Sequence, residues 1–186
     1  MDALLQLDGN ILLWIQEYLR NDVFNVFWKL ITHFGDGGYF WLTLTAVLLC
    51  FKKTRKTAIV AFCSIALCFL VTNLCMKNAI ARPRPYTQIE NLSILIAPLK
   101  SYSFPSGHTA NSFAIALIYF RMLPKKWGIT AVVLATLIAF SRLYLGVHYP
   151  TDVLGGFVIA LVCSTIVYTI YQKKIARRTR PDCEET

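Results

Sequence analysis

An all-α, polytopic transmembrane helical bundle of five to six spans, preceded by amphipathic N-terminal surface helices, is the fold class this sequence predicts. Composition comes first: 56% of the 186 residues are apolar, and the mean hydropathy of +0.51 is too high for an ordinary soluble domain. The apolar residues also gather in runs near the ~20 residues that cross a bilayer. Short basic clusters separate the runs, as they do between membrane spans.

Within residues 1–35, Leu4, Leu5, Ile11, Leu12, Ile15 and Leu19 recur at helical spacing between Asp8, Asn10, Gln16 and Glu17. That pattern predicts an amphipathic helix on the membrane surface. A second such helix, Val23 to Phe34, follows the break at Asn21-Asp22. No basic region precedes a continuous apolar stretch at the amino terminus, so a cleavable signal peptide is not expected. The run Tyr39 to Phe51 is short, and it spans if Lys52 and Lys53 snorkel to the headgroups while Asp36 to Gly38 lie at the other interface. Thr57 to Met76, Gly107 to Arg121, Trp127 to Leu145 and Val153 to Tyr171 are convincing spans. Trp41, Trp127, Tyr144 and Tyr149 fall near span ends and read as interface anchors. The chain is expected to form one domain, with interfacial helices over 1–35, the bundle over 36–172 and a basic cytoplasmic tail over 173–186.

Alternating spans sort the charges. One side receives Lys52, Lys53, Arg55, Lys56, Arg121, Lys125, Lys126, Lys173, Lys174, Arg177, Arg178 and Arg180 against only Asp182, Glu184 and Glu185. The other side receives seven cations and seven acids, so the net charge of +9 sits on one face, as on a cytoplasmic face. Attraction to anionic lipid or nucleic acid is the competing explanation. The clusters are short and flank spans, so topology is preferred and no nucleic-acid partner is expected. Cys50, Cys63, Cys68, Cys75 and Cys163 lie in or at the ends of spans, where a thiol behaves as a small apolar residue. The long connection from Asn78 to Phe104 reads as a partial lid at the interface.

Three polar islands interrupt this apolar chain, and the charge count puts all three on the side away from the basic loops. Lys77 ends a span, and Arg84 follows it in the proline-constrained turn Arg82-Pro83-Arg84-Pro85. An interfacial lysine and a solvated turn would explain that pair alone. Pro105-Ser106-Gly107-His108 opens the next span: Ser106 can cap it, Gly107 lets a ligand approach the backbone, and the unpaired amides of a first turn favour an anion. A plain cap with a surface histidine is the alternative. Ser141-Arg142, His148 and Asp152 form the third island, in which a carboxylate four residues after an imidazole can fix one ring nitrogen and leave the other to attack. Pro150 places His148 just before the last span and Asp152 in its first turn. Together the islands supply cations, a hydroxyl, backbone donors, two imidazoles and a carboxylate: the parts for phosphoryl transfer without a metal.

Lys77-(six residues)-Arg84-Pro85, Pro105-Ser106-Gly107-His108 and Ser141-Arg142-(five residues)-His148-(three residues)-Asp152 resemble the three-part signature of the type 2 phosphatidic acid phosphatase superfamily, with every position filled. That group includes membrane lipid phosphatases, bacterial acid phosphatases and vanadium haloperoxidases. The resemblance runs from about Lys77 to Gly156, and its membrane members commonly have six spans, against the five counted here plus surface helices. It implies His148 as the nucleophile that forms a phosphohistidine, Asp152 as its orienting carboxylate and His108 as general acid and then base. Lys77, Arg84, Arg142, Ser106 and the Gly107 amide would hold the nonbridging oxygens. No cofactor or metal is implied.

The expected activity is hydrolysis of a lipid phosphomonoester or pyrophosphate at the outer face of a cytoplasmic membrane. Undecaprenyl pyrophosphate leads, ahead of phosphatidylglycerol phosphate, phosphatidate and lipid A phosphates. Vanadate-dependent halide oxidation and a non-catalytic lipid-binding or flipping role are the alternatives. Outside the signature, His33 is read as structural, Arg82 and Tyr86 as neighbours able to touch substrate, and Asn73 as a bond to an adjacent helix. Oligomeric state is not legible in the sequence.

Overall fold

The structure is a computed structural model that describes residues 2–179. Helices α1 (Asp2–Tyr18) and α2 (Asp22–His33) lead through a 3-10 turn, Asp36–Gly38, into α3 (Tyr39–Cys50). Next come α4 (Arg55–Phe69), a π-helical segment Leu70–Met76, and α5 (Lys77–Ile80). After the long connection come α6 (Gly107–Met122), α7 (Lys125–Tyr144) and α8 (Pro150–Thr179). No strand occurs among the described residues.

Local chemistry sets the boundaries. Asn21 caps α2, its Oδ1 accepting the Phe24 amide at 2.9 Å, and Asp22 follows in the first turn where the helix dipole favours it. The Asn21-Asp22 break therefore falls where the sequence predicts. Gly37 and Gly38 take φ of +57° and +72°, a left-handed corner that turns the chain from α2 into α3 at little steric cost. Pro150 opens α8, where its missing N–H is no loss.

Helix α6 is the central post, packed against α4, α7 and α8. Its Ala110, Ala114, Ile115, Ala116 and Ile118 are buried, and the alanines allow neighbouring backbones to come close. Most polar side chains in this core are bonded, as a low-dielectric interior requires, with Asn111 Oδ1 an exception among the described residues. Ser64 Oγ donates to the Ala114 carbonyl at 2.7 Å, Trp41 Nε1 donates to Ser112 Oγ at 2.9 Å, and Thr45 and Tyr119 share a hydroxyl bond of 2.7 Å.

Among the described residues, three stretches are long and apolar enough to cross a membrane: the one opened by α4, then α7, then α8. At 16 and 12 residues, α6 and α3 fall short of that length. Neighbours enclose α6, so it has little lipid-facing surface to cover, whereas α8 turns Leu154, Val158, Val162, Ile166 and Ile170 outward. The last helix also continues past Tyr171 to Thr179, so the start of the expected basic tail is helical. Arg180, Asp182, Glu184 and Glu185 of the charge count lie outside the described residues.

The expected aromatic anchors need correction. Trp41, Tyr144 and Tyr149 are 1%, 0% and 4% exposed, because each polar tip or ring face finds a partner inside the protein. Trp41 bonds Ser112, the Tyr144 hydroxyl donates to Asn25 Oδ1 at 3.0 Å, and the Arg82 guanidinium lies 3.8 Å from the Tyr149 ring centre. Trp127 alone of the four is exposed.

The N-terminal helices leave Leu4, Trp14, Val23, Phe24, Val26 and Leu30 exposed while their other faces cover the ends of α7 and α8. Leu12 and Ile15 are buried, and Trp28 packs against the rings of Phe140 and Tyr144. The long connection is strapped to α1: Arg20 donates to the Ser93 carbonyl, and Gln16 Oε1 accepts from the Ser93 amide and hydroxyl.

Candidate active site

The first turns of α6 and α8 meet. The Ser106 amide donates to the Asp152 carbonyl at 3.0 Å, and a Cβ on Gly156 would stand 2.7 Å from the Ser106 carbonyl, so only glycine allows this approach. Two of the three islands, separated by some forty residues, are thereby joined backbone to backbone.

Asp152 is fully buried, and its carboxylate is saturated. Oδ2 accepts from the Ser103 hydroxyl and from the Tyr149 amide at 2.9 Å, and stands 3.4 Å from His148 Nδ1. Oδ1 accepts from Arg82 at 2.7 Å. His148 lies in the turn before α8, as Pro150 predicts. Its Nδ1 faces the carboxylate at a distance long for a hydrogen bond, and its Nε2 points to Arg84 Nη1 at 3.3 Å. Burial pushes this imidazole well below its ordinary range; Asp152 opposes the shift, while Arg84 and Arg142 reinforce it. The ring is therefore neutral near pH 7, with a lone pair available on the nitrogen beside the cations.

Arg84 spends its donors on local structure: Nε and Nη2 bond Ser101 and the Tyr102 carbonyl, and Nη1 bonds the Val147 carbonyl at 2.8 Å. It thus fixes the turn that carries His148. Arg142 is 1% exposed, its Nη1 donates to Thr32 Oγ1 on α2, and its Nε is buried with no hydrogen-bond partner among the described residues. A buried guanidinium donor without a partner is a donor available to an anion.

Lys77 Nζ lies 3.6 Å from where a Gly107 Cβ would stand, so the first island touches the second. Lys77 is in electrostatic contact with Arg84 and Arg142; His108 with Arg142 and Lys77; and His148 with Arg84 and Arg142. Three cations, two imidazoles and the Gly107 turn therefore share one locality.

Ser106 departs from expectation. It occupies the cap position of α6, yet its side chain makes no cap bond; its Oγ accepts from the Thr109 hydroxyl at 3.0 Å. The neighbours also differ from the sequence reading. Arg82 pairs with Asp8 at 2.9 Å as well as with Asp152, which makes it a brace between α1 and α8. Tyr86 exchanges bonds with the Leu99 backbone. Asn73 bonds within its own helix, to Thr72 Oγ1, rather than across to another.

Thr32, Asp36, Ser103 and Asp8 are participants that the sequence reading did not single out as site residues. Asp36 Oδ1 contacts His108 Nε2 at 2.9 Å, and Oδ2 contacts His33 Nδ1 at 2.7 Å. The bond with His108 holds the Asp36 carboxyl down at about 2, with His33 acting in the same direction against burial. The His-x-x-Asp spacing within a glycine-rich corner was the signal available for this pair.

Two solved structures share this fold, and curated relatives share the sequence. A Bacillus subtilis transmembrane phosphatidylglycerolphosphate phosphatase of the PAP2 type superposes with a TM-score of 0.77 at 29% identity, over 93% of this chain and 88% of that one. An undecaprenyl-diphosphatase from Sulfolobus acidocaldarius is 33% identical over 65% of this chain, which spans 58% of that relative's length. An undecaprenyl-diphosphatase from Bacillus subtilis is 30% identical over 80% of this chain and 76% of its own. The sequence profile of the PAP2 superfamily, the type 2 phosphatidic acid phosphatases, matches residues 56–176, and with all three islands inside that match the chain belongs to this superfamily.

Proposed function

We propose that this protein is an integral membrane phosphatase that hydrolyses a phosphomonoester or pyrophosphate of a lipid through a phosphohistidine. One observation carries the reading: a buried His148 presents Nε2 to Arg84 Nη1 at 3.3 Å, in a locality shared with Arg142 and with Lys77 beside Gly107. Lys77, Arg84, Arg142, Ser106 and the Gly107 amide neutralise the nonbridging oxygens, which otherwise repel a nucleophile. His148 Nε2 forms the bond to phosphorus as the bridging P–O bond breaks, its electron pair leaves on the oxygen, and His108 gives that oxygen a proton. Water then attacks phosphorus, His108 takes its proton, and the P–N bond breaks. Asp152 balances the positive imidazole between the two steps.

In this reading α3, the α4–α5 stretch, α6, α7 and α8 cross the bilayer, with α1 and α2 at its surface. The site then lies at the membrane surface opposite Lys52, Lys53, Arg121, Lys125 and Lys126, on the extracytoplasmic side. A tail can remain in hydrocarbon while its headgroup enters the cup. Undecaprenyl pyrophosphate is the preferred substrate, in line with the names of two relatives. Phosphate release from undecaprenyl pyrophosphate, phosphatidylglycerol phosphate, phosphatidate and lipid A, measured in detergent, ranks the candidates. His148→Ala is expected to lower turnover by ~10²-fold or more; normal release by that variant would overturn the assignment.

A further inference from the structure

The site holds a second carboxylate–imidazole pair that the signature does not contain. We infer that Asp36 is the positioning residue of His108, and that His33 holds the Asp36 carboxylate from the solvent side. This inference rests on the reading of His108 as general acid and base.

The two pairs are built differently. Asp152 is sealed in the protein, whereas Asp36 is 48% exposed on its side chain and sits in the corner between α2 and α3. Its two oxygens are divided between two imidazoles, His108 at 2.9 Å and His33 at 2.7 Å. A carboxylate that accepts from Nε2 fixes the His108 tautomer and leaves Nδ1 as the nitrogen facing the substrate. The backbone completes the seat: a Cβ on Gly35 would lie 2.5 Å from His108 Cδ2 and 2.7 Å from Ile138 Cγ2, so the ring is wedged against a bare glycine.

The groups that face His108 explain why an acid at this position needs a carboxylate. Arg142 from α7 and Lys77 from α5 are its cationic neighbours, and Asp36 is the one anionic neighbour among the described residues. Arg142 also reaches Asp36, and His33 from α2 is the remaining titratable neighbour of that carboxylate. An imidazole that must pass a proton to the leaving oxygen is oriented for it by the carboxylate in contact with its other nitrogen.

Leaving-group chemistry separates positioning from mere support. Phosphatidate expels an alkoxide, which needs a proton in the transition state. 4-Nitrophenyl phosphate expels a stable phenolate, which does not. Asp36→Asn in the full-length protein is expected to lose roughly 10–100-fold on phosphatidate and less than about 3-fold on 4-nitrophenyl phosphate. The alkaline limb of its kcat/KM profile on phosphatidate should move down by about one pH unit, because the ring gives up its proton earlier. Asp36→Glu should recover part of the loss, and His33→Gln should show the same selectivity more weakly. Equal losses on both substrates with an unmoved profile, or no loss at all, would overturn the inference. His108→Ala keeps the two levels apart: if it is inactive on phosphatidate while Asp36→Asn behaves as wild type, only this inference fails; if it is fully active, the reading beneath it fails too. Should Asp36→Asn not elute as a folded protein, the His33→Gln and Asp36→Glu profiles decide the question.

Discussion

Arg82→Met is the most informative single substitution, because one guanidinium spans two buried carboxylates. The Asp152 and Asp8 side chains are 0% and 3% exposed, and Arg82 reaches them at 2.7 and 2.9 Å. Removing one partner of a buried pair leaves an uncompensated charge, typically at a cost of ~3–5 kcal/mol. The lower end applies here, since each carboxylate keeps other donors: Ser103 and the Tyr149 amide for Asp152, the Thr151 amide and hydroxyl for Asp8. Methionine retains some contact with the Tyr149 ring. A loss of ~3 kcal/mol corresponds to a fall of about 6–12 °C in melting temperature for a chain of this size. Tryptophan fluorescence during heating in detergent measures it. Adding Asp8→Asn removes one of the two stranded charges and should return part of the loss. A melting temperature within 2 °C of wild type, unchanged by Asp8→Asn, would refute the buried-pair argument.

Further outcomes follow from other contacts. Gly156→Ala places a methyl 2.7 Å from the Ser106 carbonyl, so the first turns of α6 and α8 must separate; a loss of ~1–3 kcal/mol and a matching fall in phosphate release are expected. Trp41→Phe strands the fully buried Ser112 hydroxyl at ~1–3 kcal/mol, and Trp41→Phe with Ser112→Ala should recover much of it in a double-mutant cycle. His148 is held neutral in the folded protein but takes a proton freely when unfolded, so the unfolded state binds more protons below about pH 6.5. Stability should therefore fall as pH drops below that value, by at most ~1.4 kcal/mol per pH unit from this residue. His148→Gln should flatten the slope in melts taken from pH 7 to pH 5; an identical slope would contradict the assignment.

Features set by local chemistry are legible in the sequence. Pro150 announces the start of α8, Asn21-Asp22 the break before α2, and the apolar runs locate the starts of α4 and α6 to α8 within a few residues, while α8 runs on past the expected end at Tyr171. The islands were legible because polar groups in a membrane protein need a reason. Long-range pairing was not. Nothing adjacent to Asp8 reveals that it meets Arg82 across 74 positions, or that Thr32 reaches Arg142 across 110. His33 reads as a lone structural histidine in the sequence, and its link through Asp36 to His108 exists only after folding. Trp41, Tyr144 and Tyr149 misled for a related reason: amphipathic rings near span ends suit an interface equally well as a polar pocket inside the bundle, and only packing distinguishes the two.

The π-helical segment Leu70–Met76 has its own consequence for evolution. There the Lys77 amide reaches back five positions to the Thr72 carbonyl, so this stretch accommodates more residues per turn than its α-helical flanks. Over the same arc ordinary winding needs one residue fewer, so the segment reads as a single-residue insertion absorbed by wider turns, with its flanks left in register. Losing one residue here would restore ordinary winding and keep Lys77 near its present side of the axis, whereas losing one from Arg55–Phe69 would rotate everything beyond by about 100°. Only the second deletion would swing the ammonium away from Gly107, so chain length is more tightly constrained in the α-helical flank than in the wide turn beside the lysine.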